Sequence, residues 1–340
     1  MADYITKAGA KFDAIYNGPN IGLKGYYNPQ YNAYAIRPKE NVVTQDGSFG
    51  IELNRWFQKL FKNGEMTVSE DFTFTPELKD YYFDEQRAGI GSLSNYGIRT
   101  RRSAAFRNAF GLNMTPLITR RLNLFLSYSN LLTNYRDPSF ADNVTNAVKL
   151  GMGYAFPRDT IYSNITISNL RADKEDSNIY SLVGGIRHSI SNFILFDVNI
   201  GGSVIKSDTG NSEATFIGGA TFTQQSISHN YSAGYSRNLN TASGISSIPT
   251  TADIFYININ NIHSKDVISN IGANYSINKS HRGDLIDTRS YNLSGALTYT
   301  IRKWLRCSIT ASHFNQDSKS LTVIEVKRDM ITLALLGTLE

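Results

Sequence analysis

The sequence predicts an all-β fold, a transmembrane antiparallel up-and-down β-barrel of about 17 strands. Three observations carry this reading: apolar and polar residues alternate from end to end, the breaks between alternating stretches fall into a short and a long class, and charge keeps to one phase of the alternation. Period-two alternation marks strands whose two faces see different surroundings. It is clear in AGAKFDAIY (8–16), LNLFLSYSNLL (122–132) and VKLGMGYAF (148–156). It returns in FDVNIGGSV (196–204), ATFIGGATF (214–222), VISNIGANYSI (267–277) and on both sides of the break in YNLSGALTYTIRKWLRCSITASH (291–313). The stretch with the strongest helical spacing, NRWFQKLFKNG (54–64), reads as a strand end and turn.

The breaks alternate in length. NGPN, FPRD, SISN, TQQS, HSKD and IRKW are short, whereas RPKENVVTQDGS, RDPSFADN, RADKEDSN, NLNTASGISSIPT and NKSHRGDLIDT are long. Tight turns at one end and longer loops at the other describe an outer-membrane meander. The longest connection, 77–98, is expected to act as a constriction or cap within a single barrel domain spanning 1–340. Bacterial barrels have an even strand number with both termini periplasmic. Here the first strand starts at the long-loop end and the last finishes at the short-turn end, so 16–18 strands are visible and eighteen are expected in the complete protein. The start, MADYITKAG, has no basic and apolar leader, so a signal peptide is absent from this numbering.

The phases assign the faces. One carries Phe12, Phe106, Phe110, Leu124, Leu126, Met152, Tyr154, Phe196, Phe222, Tyr235 and Ile271. The other carries Lys7, Lys11, Asp13, Lys24, Arg107, Lys149, Arg187, Asp197 and Arg306. Arg or Lys facing lipid at mid-bilayer costs about 2–4 kcal/mol, so the charged phase is read as the lumen, and its excess of cations as a mildly cationic wall. Tyr16, Trp56, Phe57, Phe156, Phe193 and Trp304 lie near strand ends, where interfacial aromatic girdles form.

Composition fits. The 340 residues are 12% aromatic and only 19% charged, and no apolar run reaches the ~18 residues of a membrane helix. The net charge of +5 comes from scattered basic residues, so no nucleic-acid partner is expected. One cysteine, Cys307, excludes a disulfide framework or cysteine cage. The five histidines show no zinc spacing, GIG at 89–91 lacks a strand–turn–helix setting, and the sequon at Asn164 falls in mid-strand. His281 beside Asp284 and Asp287, and His313 near Asp317, are the only pairs resembling a hydrolase arrangement. Neither is read as catalytic: no enzyme activity, cofactor or metal is expected.

The succession YNPQYNAYA, ELNRWFQ, VSEDFTFTPE, LNLFLSYSNLLTNYRD and IYSLVGGIRHSISNFILFDVNIGG resembles the outer-membrane barrels associated with exopolysaccharide and PEP-CTERM/exosortase loci. The resemblance covers most of the chain in texture, without an invariant motif, and the C-terminal LALLGTLE lacks the terminal aromatic usual in such barrels. It implies a passive outer-membrane channel for polysaccharide export, working beside periplasmic polysaccharide-export proteins and surrounded by outer-membrane lipid and lipopolysaccharide. The alternatives are a general diffusion porin, or a porin-like sheath around a multihaem cytochrome. A barrel enzyme ranks third.

Overall fold

In the computed structural model, the structure describes residues 5–35, 41–75, 104–136, 142–172, 176–208, 210, 212–241, 249–280, 286–319 and 325–337. The strands are β1 (Ile5–Gly9), β2 (Phe12–Asn17), β3 (Gly22–Tyr34), β4 (Val42–Glu52), β5 (Glu65–Thr75), β6 (Ala105–Thr115), β7 (Leu122–Tyr135), β8 (Asn143–Ala155) and β9 (Asp159–Ala172). They continue as β10 (Ser177–Ser191), β11 (Ile194–Ser207), β12 (Ser212–Gln225), β13 (His229–Thr241), β14 (Pro249–Ile262), β15 (Val267–Ser280), β16 (Asp287–Arg302), β17 (Leu305–Ser318) and β18 (Val326–Gly337). From β3 onward each pairs antiparallel with the next.

β1 and β2 are one strand. Both pair with β3, and the register passes from Gly9↔Gln30 to Phe12↔Tyr27 without a slip. The interruption lies opposite Pro29, which accepts a hydrogen bond from the Ala10 amide at 3.3 Å but has no N–H to return. Among the described residues the wall therefore has seventeen strand positions, the expected number. Among the described residues no pairing joins the first strand to β18. Both run from the long-loop end to the short-turn end, and on the outward phase of β18 Ile331 is 82% and Leu333 72% exposed.

Residues 54–64 correct one expectation. Instead of a strand end, Asn54–Phe57 form a short helix, α1, in the turn between β4 and β5. The Asn54 side chain accepts a hydrogen bond from the Met66 amide at 2.8 Å, which ties the helix start to β5. Phe57 is also no girdle residue: it is 5% exposed and packs against Phe61 at 5.1 Å between ring centres. Turning the chain in a helix points this ring into the turn, whereas its neighbour Trp56 stays exposed.

The outer face is an apolar belt. Leu150, Ile165, Leu182, Ile200, Ile257, Leu293, Leu297 and Leu333 are all exposed there, as expected where lipid replaces a packed core. Its upper border is a row of directly opposed aromatics, Tyr235↔Phe255↔Tyr275↔Tyr291, with Tyr235 and Phe255 4.8 Å apart. The belt between Tyr291 and Tyr299, eight residues along β16, is about 20 Å tall at a typical tilt. Tyr16, Phe156, Phe193 and Trp304 are exposed at the short-turn end. Substituting Phe255 by Leu is expected to cost about 1 kcal/mol through its two lost ring contacts, measurable by urea unfolding in lipid.

Charge is not confined to the inner phase. Arg237 and Asp253 pair at 3.6 Å on the outer face, one step above the aromatic row, with Tyr235 donating to Asp253 at 2.6 Å. His313 pairs with Asp329 rather than with Asp317. Such groups are affordable at the interface, where charge costs only about 0–1 kcal/mol. Glu70 lies lower, between Phe49 and Phe110, and accepts a hydrogen bond from Asn108 at 2.9 Å.

Candidate functional site: the inner wall

Alternation places every expected lumen residue on the inward phase: Lys7, Lys11, Asp13, Lys24, Arg107, Lys149, Arg187, Asp197 and Arg306. Register then decides which of them meet. Arg187 stands directly opposite Asp197 and binds it at 2.9 Å, and Tyr162 donates to the other carboxylate oxygen at 2.6 Å. Lys11 pairs with Asp13 at 2.8 Å and lies 4.9 Å from the Tyr26 ring centre; Lys24 pairs with Glu52. The Lys149 ammonium sits 5.4 Å from the centre of the Phe125 ring.

This revises the cationic wall. Besides Asp71, which alternation already places inward, Asp46, Glu52, Glu65 and Glu213 occupy the inward phase as well, so inward acids nearly match inward bases. Asp46 accepts hydrogen bonds from Tyr26 at 3.1 Å and Thr73 at 3.2 Å. A charge-paired wall gives little preference for either sign of ion. Asp197→Asn is expected to release Arg187 and shift the reversal potential toward anions. Arg187→Ala should shift it toward cations, and the double variant should return near the wild type.

Height divides the lumen. Inward side chains near the long loops are buried: Thr133, Leu170, Ser177, Thr250, Ser276, Thr288 and Gln316 are at most 2% exposed. Several are apolar, including Ile179, Ile205, Ile254 and Phe314, none more than 9% exposed. The wall is therefore not uniformly hydrophilic; a collar of buried wall side chains lies at the long-loop end. Toward the short turns, Arg187, Lys24 and Arg306 are exposed. The proposed constriction at 77–98 and the His281–Asp284 pair lie outside the described residues.

A polar row crosses the wall obliquely, from the exposed short-turn zone to the edge of the collar. Cross-strand partners run Thr160, Arg187, Asp197, Thr221, Gly234, Tyr256, Asn274, Asn292. It begins one residue from the lower end of β9 and lies well up β16, as the tilt of the strands requires. Groups from both ends converge at its middle: Tyr162 on Asp197, and Tyr256 on the Thr221 hydroxyl at 2.9 Å. Below it, Asn230, Ser232, Asn258, Asn270, Ser294 and Ser312 keep the wall in small amides and hydroxyls.

The sequence matches no protein-family profile and no curated protein. Its fold is matched by solved structures. The F3-3 variant of the FrpB iron transporter from Neisseria meningitidis superposes with a TM-score of 0.54 at 8% identity, over 95% of this chain and 63% of that one. The apoprotein of the F5-1 variant gives 0.55 at 9% identity, over 93% and 60%. The copper transporter OprC gives 0.50 at 8% identity, over 99% and 66%. The chain thus spans less than two thirds of the length of these three structures. Apolar belt, aromatic borders and strand meander together define a β-barrel of the outer-membrane type.

Proposed function

We propose that the chain is an outer-membrane transport conduit whose polar inner wall carries a polyhydroxylated polymer, an exopolysaccharide, toward the cell surface. The observation behind this reading is the row of hydroxyl, amide and paired charged groups from Thr160 to Asn292. Such a surface offers donors and acceptors in turn without holding net charge, so a sugar chain exchanges one set of hydrogen bonds for the next. The conduit acts by geometry rather than bond chemistry. The resemblance to exopolysaccharide-associated barrels supports this cargo, and the fold shared with iron and copper transporters supports passage across the outer membrane. Polymer enters at the short-turn end, handed over by periplasmic export proteins, and the collar at the other end narrows the exit.

A general diffusion porin is disfavoured by that collar. Proteoliposomes loaded with neutral dextran oligomers and matched anionic oligomers test the proposal. Efflux of neutral oligomers at rates equal to or above those of the anionic ones is expected. Retention of both, with passage of monosaccharides only, would sink the polymer reading.

A further inference from the structure

We infer that Tyr162 and Tyr256 are two stacking platforms for sugar rings on the inner wall, an inference that rests on the conduit reading above. Each ring lies over a glycine of the neighbouring strand. A Cβ on Gly185 would stand 2.4 Å from Cζ of Tyr162, and one on Gly234 would stand 2.8 Å from Cζ of Tyr256. Only a residue without a side chain leaves room for a ring at these two places. The hydroxyls fix the rings in plane, Tyr162 by its hydrogen bond to Asp197 and Tyr256 by the one shared with Thr221.

The two rings point at each other. Tyr162 reaches from β9 across β10 to β11, and Tyr256 reaches from β14 across β13 to β12. Their anchors, Asp197 and Thr221, are direct cross-strand partners. Each ring has one face on backbone while the residue stays partly exposed on the lumen side. A free aromatic face is electronegative and attracts the C–H edge of a pyranose. Because both rings are already held, stacking on them forfeits little rotamer freedom. Arg187 and Asn199 flank the Tyr162 platform with groups able to bind sugar hydroxyls. A packing role alone would fill the gap over each glycine equally well with an apolar ring, as Phe72 does over Gly47 on the outer face.

The test uses the full chain in planar bilayers with maltohexaose as probe, reading the residence time of single current blockages. Wild type should show resolvable blockages, and Tyr162→Ala/Tyr256→Ala should shorten them about tenfold, the size of one aromatic contact. Tyr162→Phe/Tyr256→Phe keeps the rings and should stay within about twofold. Gly185→Ala, which lifts Tyr162 from the wall without deleting it, should shorten residence as well. Heat-modifiable mobility on gels checks that each variant folds. A conducting pore without blockages, or with equal residence times in wild type and the Ala pair, overturns the platforms and leaves the conduit standing. A chain that releases no oligomer from liposomes overturns the conduit, and the platforms with it.

Discussion

Leu150→Arg is expected to destabilise the folded protein in lipid by about 2–4 kcal/mol. Leu150 is 54% exposed at mid-height of β8, opposite Ile165 and Leu126 and between Val148 and Met152. An arginine there has no water to face and no partner within reach. One residue earlier, Lys149 is accommodated because alternation turns it inward, over the Phe125 ring. The control is Thr298→Arg, on the inward phase of β16, where a cation meets water and the cost should stay within about 0.5 kcal/mol. Urea unfolding in lipid vesicles measures both. Equal costs at the two sites would contradict the assignment of the faces.

Gly201→Ala should cost about 1–3 kcal/mol, the range for overpacking a tight site. A Cβ at Gly201 would lie 2.1 Å from the Leu182 carbonyl oxygen and 2.8 Å from Cα of Val183. Both obstacles are backbone, so relief requires β10 and β11 to move apart where fourteen residue pairs bind them. Gly295→Ala is the matched control: a Cβ there meets nothing within 4 Å, and its effect should stay within about 0.5 kcal/mol. Similar losses at both would mean that strand spacing at Gly201 is not what the glycine serves.

Alternation made the phases legible. Arg306 turns inward while Cys307 and His313 turn outward, as the pattern around IRKW requires, and the short turns fall where the short breaks do. What alternation leaves out is register. Nothing local in the sequence shows that Arg187 faces Asp197 across a two-residue turn, or that Tyr162 crosses a strand to reach the same carboxylate. The nearly balanced wall was missed for a related reason. Asp46 falls in RPKENVVTQDGS, which reads as a long break although its second half belongs to β4, and Glu52 and Glu65 flank the α1 turn, which breaks the alternation between them. The collar was hidden differently: Ile205 follows Val204, and two consecutive apolar residues look the same whichever of them faces in. Gly185 and Gly234 were the available signal for the platforms. A small residue on the wet face invites a neighbour's ring, but only register tells which.

Thiol labelling in liposomes tests whether the small polar face bounds a water-filled passage and the apolar face meets lipid. In a Cys307→Ser background, single cysteines at the adjacent positions Leu297 and Thr298 are exposed to a membrane-impermeant maleimide. Rapid modification at Thr298→Cys and none at Leu297→Cys is the expected result. Equal labelling of the two, or labelling at 297 alone, would contradict it.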